Sequence, residues 1–361
     1  MTWPDNGASA AARQQMAAAL TEGRVSEWTD AFAAIPRHVF VPRFYQQDTT
    51  GAWQSLTWGD PGYLEAVYSD EALTTQLDDQ GVPTSSSSQP SVMLRMLEAL
   101  DAEEGHQVLE LGTGTGYNAA LLSHRVGDKA VTSIDIDHGL MKAAGTHLDT
   151  VGLRPTLARA DGAQGWPGRA PYDRIIATVG LHSIPWPLLD QAAPEAVIVV
   201  PLGYGIVRVT VTGPGHASGR FLPTPAYFMA RRSNGAAPRF DETARQQPTD
   251  TTVPPADLLE RLKFPASLAL PGYISCSWKD SDGNLESVGL WTPDGSTATA
   301  HVSGAVRQCG PRRLWDTVEG LAESFIGTPD LEDFHLTITP AGQVVSYGAA
   351  GGPSWALPAT P

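Results

Sequence analysis

The chain has 361 residues, 42% of them hydrophobic and 17% charged, a balance that excludes wholesale disorder and a length that predicts two domains. Its 24 Lys and Arg against 39 Asp and Glu give a net charge of -15. The basic pairs Arg231-Arg232 and Arg312-Arg313 stand isolated, so the clustered cations that displace phosphate counterions are missing and no nucleic-acid partner is expected.

The longest apolar runs, such as Ala196-Val197-Ile198-Val199-Val200, fall far short of the roughly 20 residues that span a bilayer. Met1 to Asn6 show no basic start of a secretory signal, so a cytoplasmic protein without a membrane partner is expected. Cys276 and Cys309 are the only cysteines, and two buried thiols are expected in preference to one disulfide. His38, His182 and His301 are scattered, and no metal site is expected.

In chain order, Ala8 to Leu20 predicts a helix, and Ser26 caps a second one ending at Ile35 before Pro36. Gln46 to Tyr68 contains Gly51, Gly59, Pro61 and Gly62 and predicts a long irregular connection; Trp53 and Trp58 within it are candidates for a peptide-binding wall. Pro90 suits the first turn of the next helix, with Ser88 or Gln89 at its cap and Val92, Met93, Met96, Leu97 and Leu100 on one face.

From Gln107 onward, short apolar runs alternate with helix-length segments. Val108–Leu111, Ala130–Asp135, Thr156–Ala160, Tyr172–Thr178 and Ala196–Pro201 are predicted strands, with helices over Tyr117–Arg125 and Leu140–Val151. This alternation predicts an α/β fold with a doubly wound, mainly parallel sheet. Residues 231–256 carry Asn234, Gly235, Pro238, Pro248, Pro254 and Pro255 without apolar periodicity, the pattern of a linker. Beyond it a helix near Leu258–Leu262, a strand near Tyr273–Trp278, an Asp294-Gly295 hairpin turn, a helix over Leu314–Phe325 and a final strand at His335–Thr339 predict an α+β appendage.

The strongest local signal is Glu110-Leu111-Gly112-Thr113-Gly114-Thr115-Gly116-Tyr117. Glycines after a strand let the backbone turn tightly and approach a ligand, and the following helix offers free N–H groups. A dinucleotide fingerprint requires a third glycine at position 117, which is Tyr. The E-x-G-x-G-x-G order suits S-adenosylmethionine, which has no pyrophosphate to cradle. Asp135 closes the next strand 19 residues beyond Gly116, near the spacing of about 20 for an acid that accepts from ribose hydroxyls. Asp137 is the rival, with an N-cap role of its own, and Asp161-Gly162 follows the third strand where an adenine-contacting turn belongs.

These residues resemble the protein-L-isoaspartate carboxyl methyltransferase family. The resemblance runs from Ala31-Phe32 and Ile35-Pro36-Arg37-His38-Val39-Phe40-Val41-Pro42 through Ser88-Gln89-Pro90, the glycine turn, Asp161-Gly162, Gly165-Trp166, Pro171–Ile176 and Ile184-Pro185 to Ile198–Gly203, over about residues 28 to 212. It implies a Rossmann-like class I methyltransferase domain over 71–230, preceded by a helical and loop segment over 1–70 that packs on the core. The linker 231–256 and an α+β domain over 257–361 complete the expected organisation. It implies Ser88 as the catalytic serine, with Thr84, Ser85 and Gln89 as substrate contacts. Cofactor contacts are implied for Ser86, Ser87, Glu110, Gly112, Thr113, Gly114, Gly116, Asp135, Asp161 and Gly162.

Two departures bear on the substrate. Four consecutive serines, Ser85 to Ser88, replace the apolar lead-in usual in the family, and residues from about 231 onward lie outside its ordinary pattern. Both features resemble the divergent relatives found beside ribosomally made modified peptides, where the resemblance implies methylation of a normal aspartate in a precursor peptide followed by aspartimide formation. General isoaspartyl repair is the alternative. A non-catalytic binding protein is the third reading, disfavoured by the intact glycines, Asp135 and Ser88.

Overall fold

The computed structural model describes residues 5–21, 24, 26–229, 237–349 and 351–359, so that 230–236, which hold the start of the expected linker, lie outside the described residues. The chain divides into two compact units. The first comprises Met1–Val179, Ile184–Val200 and Arg208–Ala217; the second comprises Gly180–Ser183, Pro201–Val207 and Ser218–Pro361.

The first unit is organised by five parallel strands in the order Ala192–Leu202, Tyr172–Ala177, Val108–Leu111, Val131–Asp135, Thr156–Arg159. Val108, Leu109 and Leu111 are fully buried, as a central strand of a doubly wound sheet must be, since helices cover both faces. Helices Tyr117–Val126 and His138–Thr150 follow Val108–Leu111 and Val131–Asp135 in the chain. The order reverses on either side of Val108–Leu111, and ligands of such sheets bind at the carboxyl ends of the strands at this reversal.

The N-terminal helix Gly7–Leu20 begins with a capping box in which Asn6 and Ser9 satisfy each other's backbone N–H. Helices Thr29–Ala34 and Arg37–Phe40 follow, and Phe32 and Phe40 pack their rings on Tyr117, with centroids 6.3 and 5.7 Å away.

Residues 46–68 are more regular than their glycines suggest. Strands Arg43–Gln47 and Trp53–Thr57 and the helix Tyr63–Val67 lie in or across this stretch. Together with Leu73–Leu77 and Pro83–Ser87 the two strands form a four-stranded antiparallel sheet. Carboxylates close its turns: Asp48 accepts from the N–H groups of Thr50 and Ala52, and Asp60 from that of Thr57. The buried Tyr63 hydroxyl donates to the Val41 carbonyl at 2.8 Å. The glycines serve these tight turns, which composition alone does not distinguish from an irregular loop.

The second unit holds a five-stranded antiparallel sheet in the order Thr249–Asp250, Ala305–Cys309, Thr297–His301, Leu285–Trp291, Ile274–Lys279. The Asp294-Gly295 turn joins two of its strands, with Asp294 accepting from Ser296 N and Thr292 Oγ1. The stretch read as a linker carries the short helix Phe240–Ala244, where the Phe240 ring meets the rings of Trp278 and Trp291 edge-on at 5.0 and 5.7 Å. Where one helix near Leu258–Leu262 was expected, Pro255–Leu259 and Lys263–Ala269 form two.

The strand expected to be last, Phe334–Thr339, is followed by Gly342–Tyr347 and Ser354–Ala356, both antiparallel. Cys276 and Cys309 are free thiols, half-buried rather than buried. Among the described residues no helix is long and apolar enough to cross a membrane, and no group of three or more His, Cys, Asp or Glu could hold a metal ion.

Candidate active site

The glycine turn leaves the strand Val108–Leu111 at the sheet reversal. Gly112, Gly114 and Gly116 have φ of 94°, 52° and 88°, in the left-handed region that costs any L side chain about 1–2 kcal/mol. Gly112 N and Thr113 N donate to the Ile134 carbonyl at 2.8 and 3.2 Å, and Gly116 N closes the turn on Thr113 O at 2.8 Å. A Cβ on Gly112 would stand 2.8 Å from Thr178 Oγ1 and from Val179 Cγ1. Gly114 faces the serine strand, where Ser86 O and Ser85 Oγ lie 3.8 and 3.9 Å from where its Cβ would be. Gly114 thus meets residues 28 and 29 positions earlier in the chain.

The serine run is a strand, Pro83–Ser87, paired antiparallel with Leu73–Leu77. Its pleat sends alternate residues to opposite faces: Ser85 and Ser87 are buried, while Thr84, Ser86 and Ser88 are half-exposed. The expected division, with substrate contacts at Thr84 and Ser85 and cofactor contacts at Ser86 and Ser87, cuts across this alternation. Thr84 Oγ1 donates to Gln76 at 2.8 Å, and Ser85 Oγ accepts from Thr75 Oγ1 at 3.2 Å. The Ser87 hydroxyl lies 3.4 Å from the Arg37 guanidinium. The Ser88 hydroxyl has no hydrogen-bond partner among the described residues.

The residue at the cap of helix Pro90–Leu100 is Gln89, and its side chain does not cap it. Asp70 does so from a distance, accepting from Ser91 N at 2.7 Å and from Gln89 Nε2 at 3.1 Å.

Among the expected cofactor residues, Glu110 is fully buried. Its carboxylate accepts from Asn118 Nδ2 at 2.7 Å and Ser133 Oγ at 2.5 Å, and Ser133 Oγ lies 2.6 Å from Thr113 Oγ1. Glu110 and Thr113 therefore brace the turn against the second strand. Burial pushes the Glu110 carboxyl up from 4.5 to about 7, only partly offset by the Ser133 and Asn118 hydrogen bonds.

An acid whose folded pKa is raised contributes stability that is whole below its unfolded value and is lost as pH rises through the folded one. Between about pH 4.5 and 8 the native chain is thus expected to lose about 3 kcal/mol of unfolding free energy relative to Glu110→Gln. Urea denaturation of both proteins across that range checks this, and parallel pH profiles would refute it.

The two rival acids have different partners. Asp137 caps helix His138–Thr150, its Oδ1 accepting from Gly139 N at 2.8 Å and Leu140 N at 3.0 Å. Asp135 is half-exposed at the strand end and accepts from Gly114 N and Asp137 N, each at 2.9 Å. Each Asp135 oxygen retains a second lone pair for another donor. Asp161 accepts from Ala163 N at 3.0 Å, and Gly162 sits against Leu111, whose Cβ is 3.8 Å from the position of a Cβ on Gly162. The turn, Asp135 and Asp161-Gly162 thus all gather at the carboxyl ends of adjacent strands.

Arg37 is the residue that motif reading left without a role. It is fully buried, and its guanidinium donates to the carbonyls of Val67 (2.9 Å), Ser69 (3.1 Å), Glu71 (3.0 Å) and Ser88 (3.1 Å). Burial lowers its pKa only to about 10, so it stays charged at neutral pH. One cation therefore fixes the backbone at both ends of the hairpin that presents the serines. The available signal was a charged residue inside the apolar signature Ile35–Pro42.

Residues 12–212 match the family described as protein-L-isoaspartate(D-aspartate) O-methyltransferase. The chain is similar to a protein-L-isoaspartate O-methyltransferase of Azorhizobium caulinodans, with 41% identity over 145 residues, covering 40% of this chain and 63% of that protein. It is also 35% identical to that of Gloeobacter violaceus over 174 residues, 48% of this chain and 72% of the relative. A solved protein-L-isoaspartate O-methyltransferase shares the fold at 22% identity with a TM-score of 0.56, over 93% of this chain and 100% of the other.

S-adenosylmethionine is the cofactor, and the site fits it. Three left-handed glycines bring the turn close against its neighbours, an acid stands at the end of Val131–Asp135, and the turn carries no basic residue to meet a pyrophosphate. With over half its length matched, the chain belongs to the protein-L-isoaspartate(D-aspartate) O-methyltransferase family.

Proposed function

We propose that the chain methylates an aspartyl or isoaspartyl carboxylate in a peptide or protein, and that its preferred acceptor is a normal aspartate in a modified-peptide precursor. The observation that carries the proposal is the place of Ser88, half-exposed and directly after a strand whose Ser85 and Ser86 lie against Gly114.

When bound, S-adenosylmethionine supplies an electrophilic methyl on a sulfonium. A carboxylate with a pKa near ~4 is already ionised at neutral pH, so no general base is required of the chain. The chain's task is to hold that oxygen in line and exclude water, and positioning of this kind accounts for roughly 7–11 kcal/mol of barrier. A hydroxyl donor suits it, because it stabilises the anion without protonating it. Asp135 holds the ribose in this reading, and Asp161-Gly162 borders the adenine. Glu110 and Thr113 keep the turn in shape. Once the ester has formed, the next backbone nitrogen attacks its carbonyl and loses its proton; methanol leaves and a succinimide closes.

The serine run and the second unit beyond the family match support the precursor-peptide substrate. The relatives' own names favour a second reading, isoaspartyl repair. Labelled cofactor with paired normal-aspartyl and isoaspartyl peptides separates the two. Ser88→Ala is expected to slow methylation of the preferred peptide roughly 10–100-fold, the value of a hydrogen bond to a charged acceptor of about 1.5–3 kcal/mol. S-adenosylhomocysteine affinity should remain within about twofold in the same variant. A variant as fast as the native chain would remove Ser88 from the reaction.

A further inference from the structure

The second unit contains a cavity of about 320 Å³ that the methyl-transfer reading does not use. Tyr204, Tyr227, Tyr273 and Trp291 line it. The Tyr204 ring stacks on Tyr227 with centroids 5.1 Å apart and lies 5.4 Å from Tyr273. The Tyr273 hydroxyl donates to the Lys263 carbonyl at 3.1 Å, so its polar end is occupied and its ring is left as wall.

Glycines let the wall close: Gly203 has φ of 61°, and a Cβ there would stand 2.2 Å from Ser267 Oγ. Tyr227 is 61% exposed and Ile274 44% exposed, so large apolar surface stands open to solvent at this cavity. In the chain, the lining residue Gly180 follows directly on Thr178-Val179, whose side chains cover Gly112.

We infer that this cavity receives an aromatic side chain of the methyl-accepting peptide, as a second anchor that selects the substrate. The inference rests on the peptide-carboxylate reading above. The chemistry of the wall selects the ligand. A ring cage attracts cations, but the Lys263 ammonium already stands 4.7 Å over the Tyr204 ring and no Asp or Glu lines the cavity, so a second cation meets like charge without a counterion. A phosphate would find no arginine among the lining residues. An aromatic ring finds faces and edges at stacking distance and needs no counter-charge. The volume lies at the small end of the range for ligand sites, the size of one large side chain with its flanking backbone.

The test uses the full chain with bound S-adenosylhomocysteine. N-acetyl-L-phenylalaninamide and N-acetyl-L-alaninamide are titrated by saturation-transfer NMR against the native protein, Tyr227→Ala and Ile274→Glu. Both substitutions fall at exposed positions. The phenylalanine probe is expected to bind the native chain and to lose signal in both variants, and the alanine probe to bind none.

In methylation assays, acceptor peptides carry one Phe scanned along the residues flanking the aspartate, each with an Ala counterpart. At the productive spacing Phe should lower KM roughly tenfold, and Tyr227→Ala should abolish that advantage with kcat unchanged. Absence of probe binding, or equal KM for Phe and Ala peptides throughout, overturns the aromatic anchor while the methyltransferase reading stands. Failure to methylate any aspartyl or isoaspartyl peptide overturns that reading instead, and the probe titration still decides the cavity.

Discussion

Gly112→Ala is expected to weaken S-adenosylhomocysteine binding by 100-fold or more, about 2.7 kcal/mol. Two costs combine at this position. A φ of 94° is unfavourable for alanine by about 1–2 kcal/mol. The new Cβ would also lie 2.8 Å from Thr178 Oγ1 and Val179 Cγ1, and such overpacking costs about 1–3 kcal/mol.

Thr178 cannot simply turn away, because its hydroxyl donates to the carbonyls of Gly112 at 2.6 Å and Leu111 at 3.2 Å. Relief must therefore come from the turn itself, which would move the backbone that meets the cofactor in the proposed function. Gly127→Ala is the control. Its φ of 86° carries the same backbone penalty, but nothing lies within 4 Å of the added methyl. Gly127→Ala should lower stability by about 1–2 kcal/mol and leave cofactor affinity alone. Calorimetric titration of both variants makes the comparison, and native affinity in Gly112→Ala would refute the assignment of this turn to the cofactor.

Arg37→Met should destabilise the fold by about 3–5 kcal/mol, a large share of the 5–15 kcal/mol that holds a domain together. The methionine keeps the volume of the side-chain stem and removes five donors. The carbonyls of Val67, Ser69, Glu71 and Ser88 would then lose their present partner; that of the buried Val67 costs about 1–3 kcal/mol if water does not replace the bond, and the less buried three cost less. Arg37→Lys keeps the charge, but a compact ammonium cannot span carbonyls that the planar guanidinium reaches at once, so it should fall between the two.

Because the same cation holds the Ser87 and Ser88 backbone, methylation should fall more steeply than the folded fraction does. Urea midpoints, with initial rates measured where each variant is fully folded, separate the two effects. An unchanged midpoint in Arg37→Met would show that these hydrogen bonds contribute nothing net.

The parallel core was legible in the chain because it is encoded locally. Short, mostly apolar runs such as Val108–Leu111, followed by helix-length segments, describe strands buried on both faces, and the observed bounds differ from the expected ones mostly at the ends. Residues 46–68 were misjudged for the opposite reason. Their strands expose much of their surface, so no strict alternation marks them, and their glycines and aspartates mark turns within a sheet that only tertiary pairing reveals. The second unit shows the same limit. Two strands follow the one expected to be last, and the family match ends at residue 212 although the likeness to a solved methyltransferase takes in 93% of the chain.

The sequence by itself determined where a tight glycine turn must lie. Strand, glycine positions and helix start are contiguous, and positive φ is a property of the residue that adopts it. Tertiary structure alone decided which serines face inward, that Asp137 caps a helix while Asp135 ties Gly114, and that Arg37 grips both ends of the serine hairpin. It also gathered Tyr204, Tyr227, Tyr273 and Trp291 around one cavity. These arrangements join residues tens of positions apart, and their energies come from burial and hydrogen-bond geometry, which no local window of the chain contains.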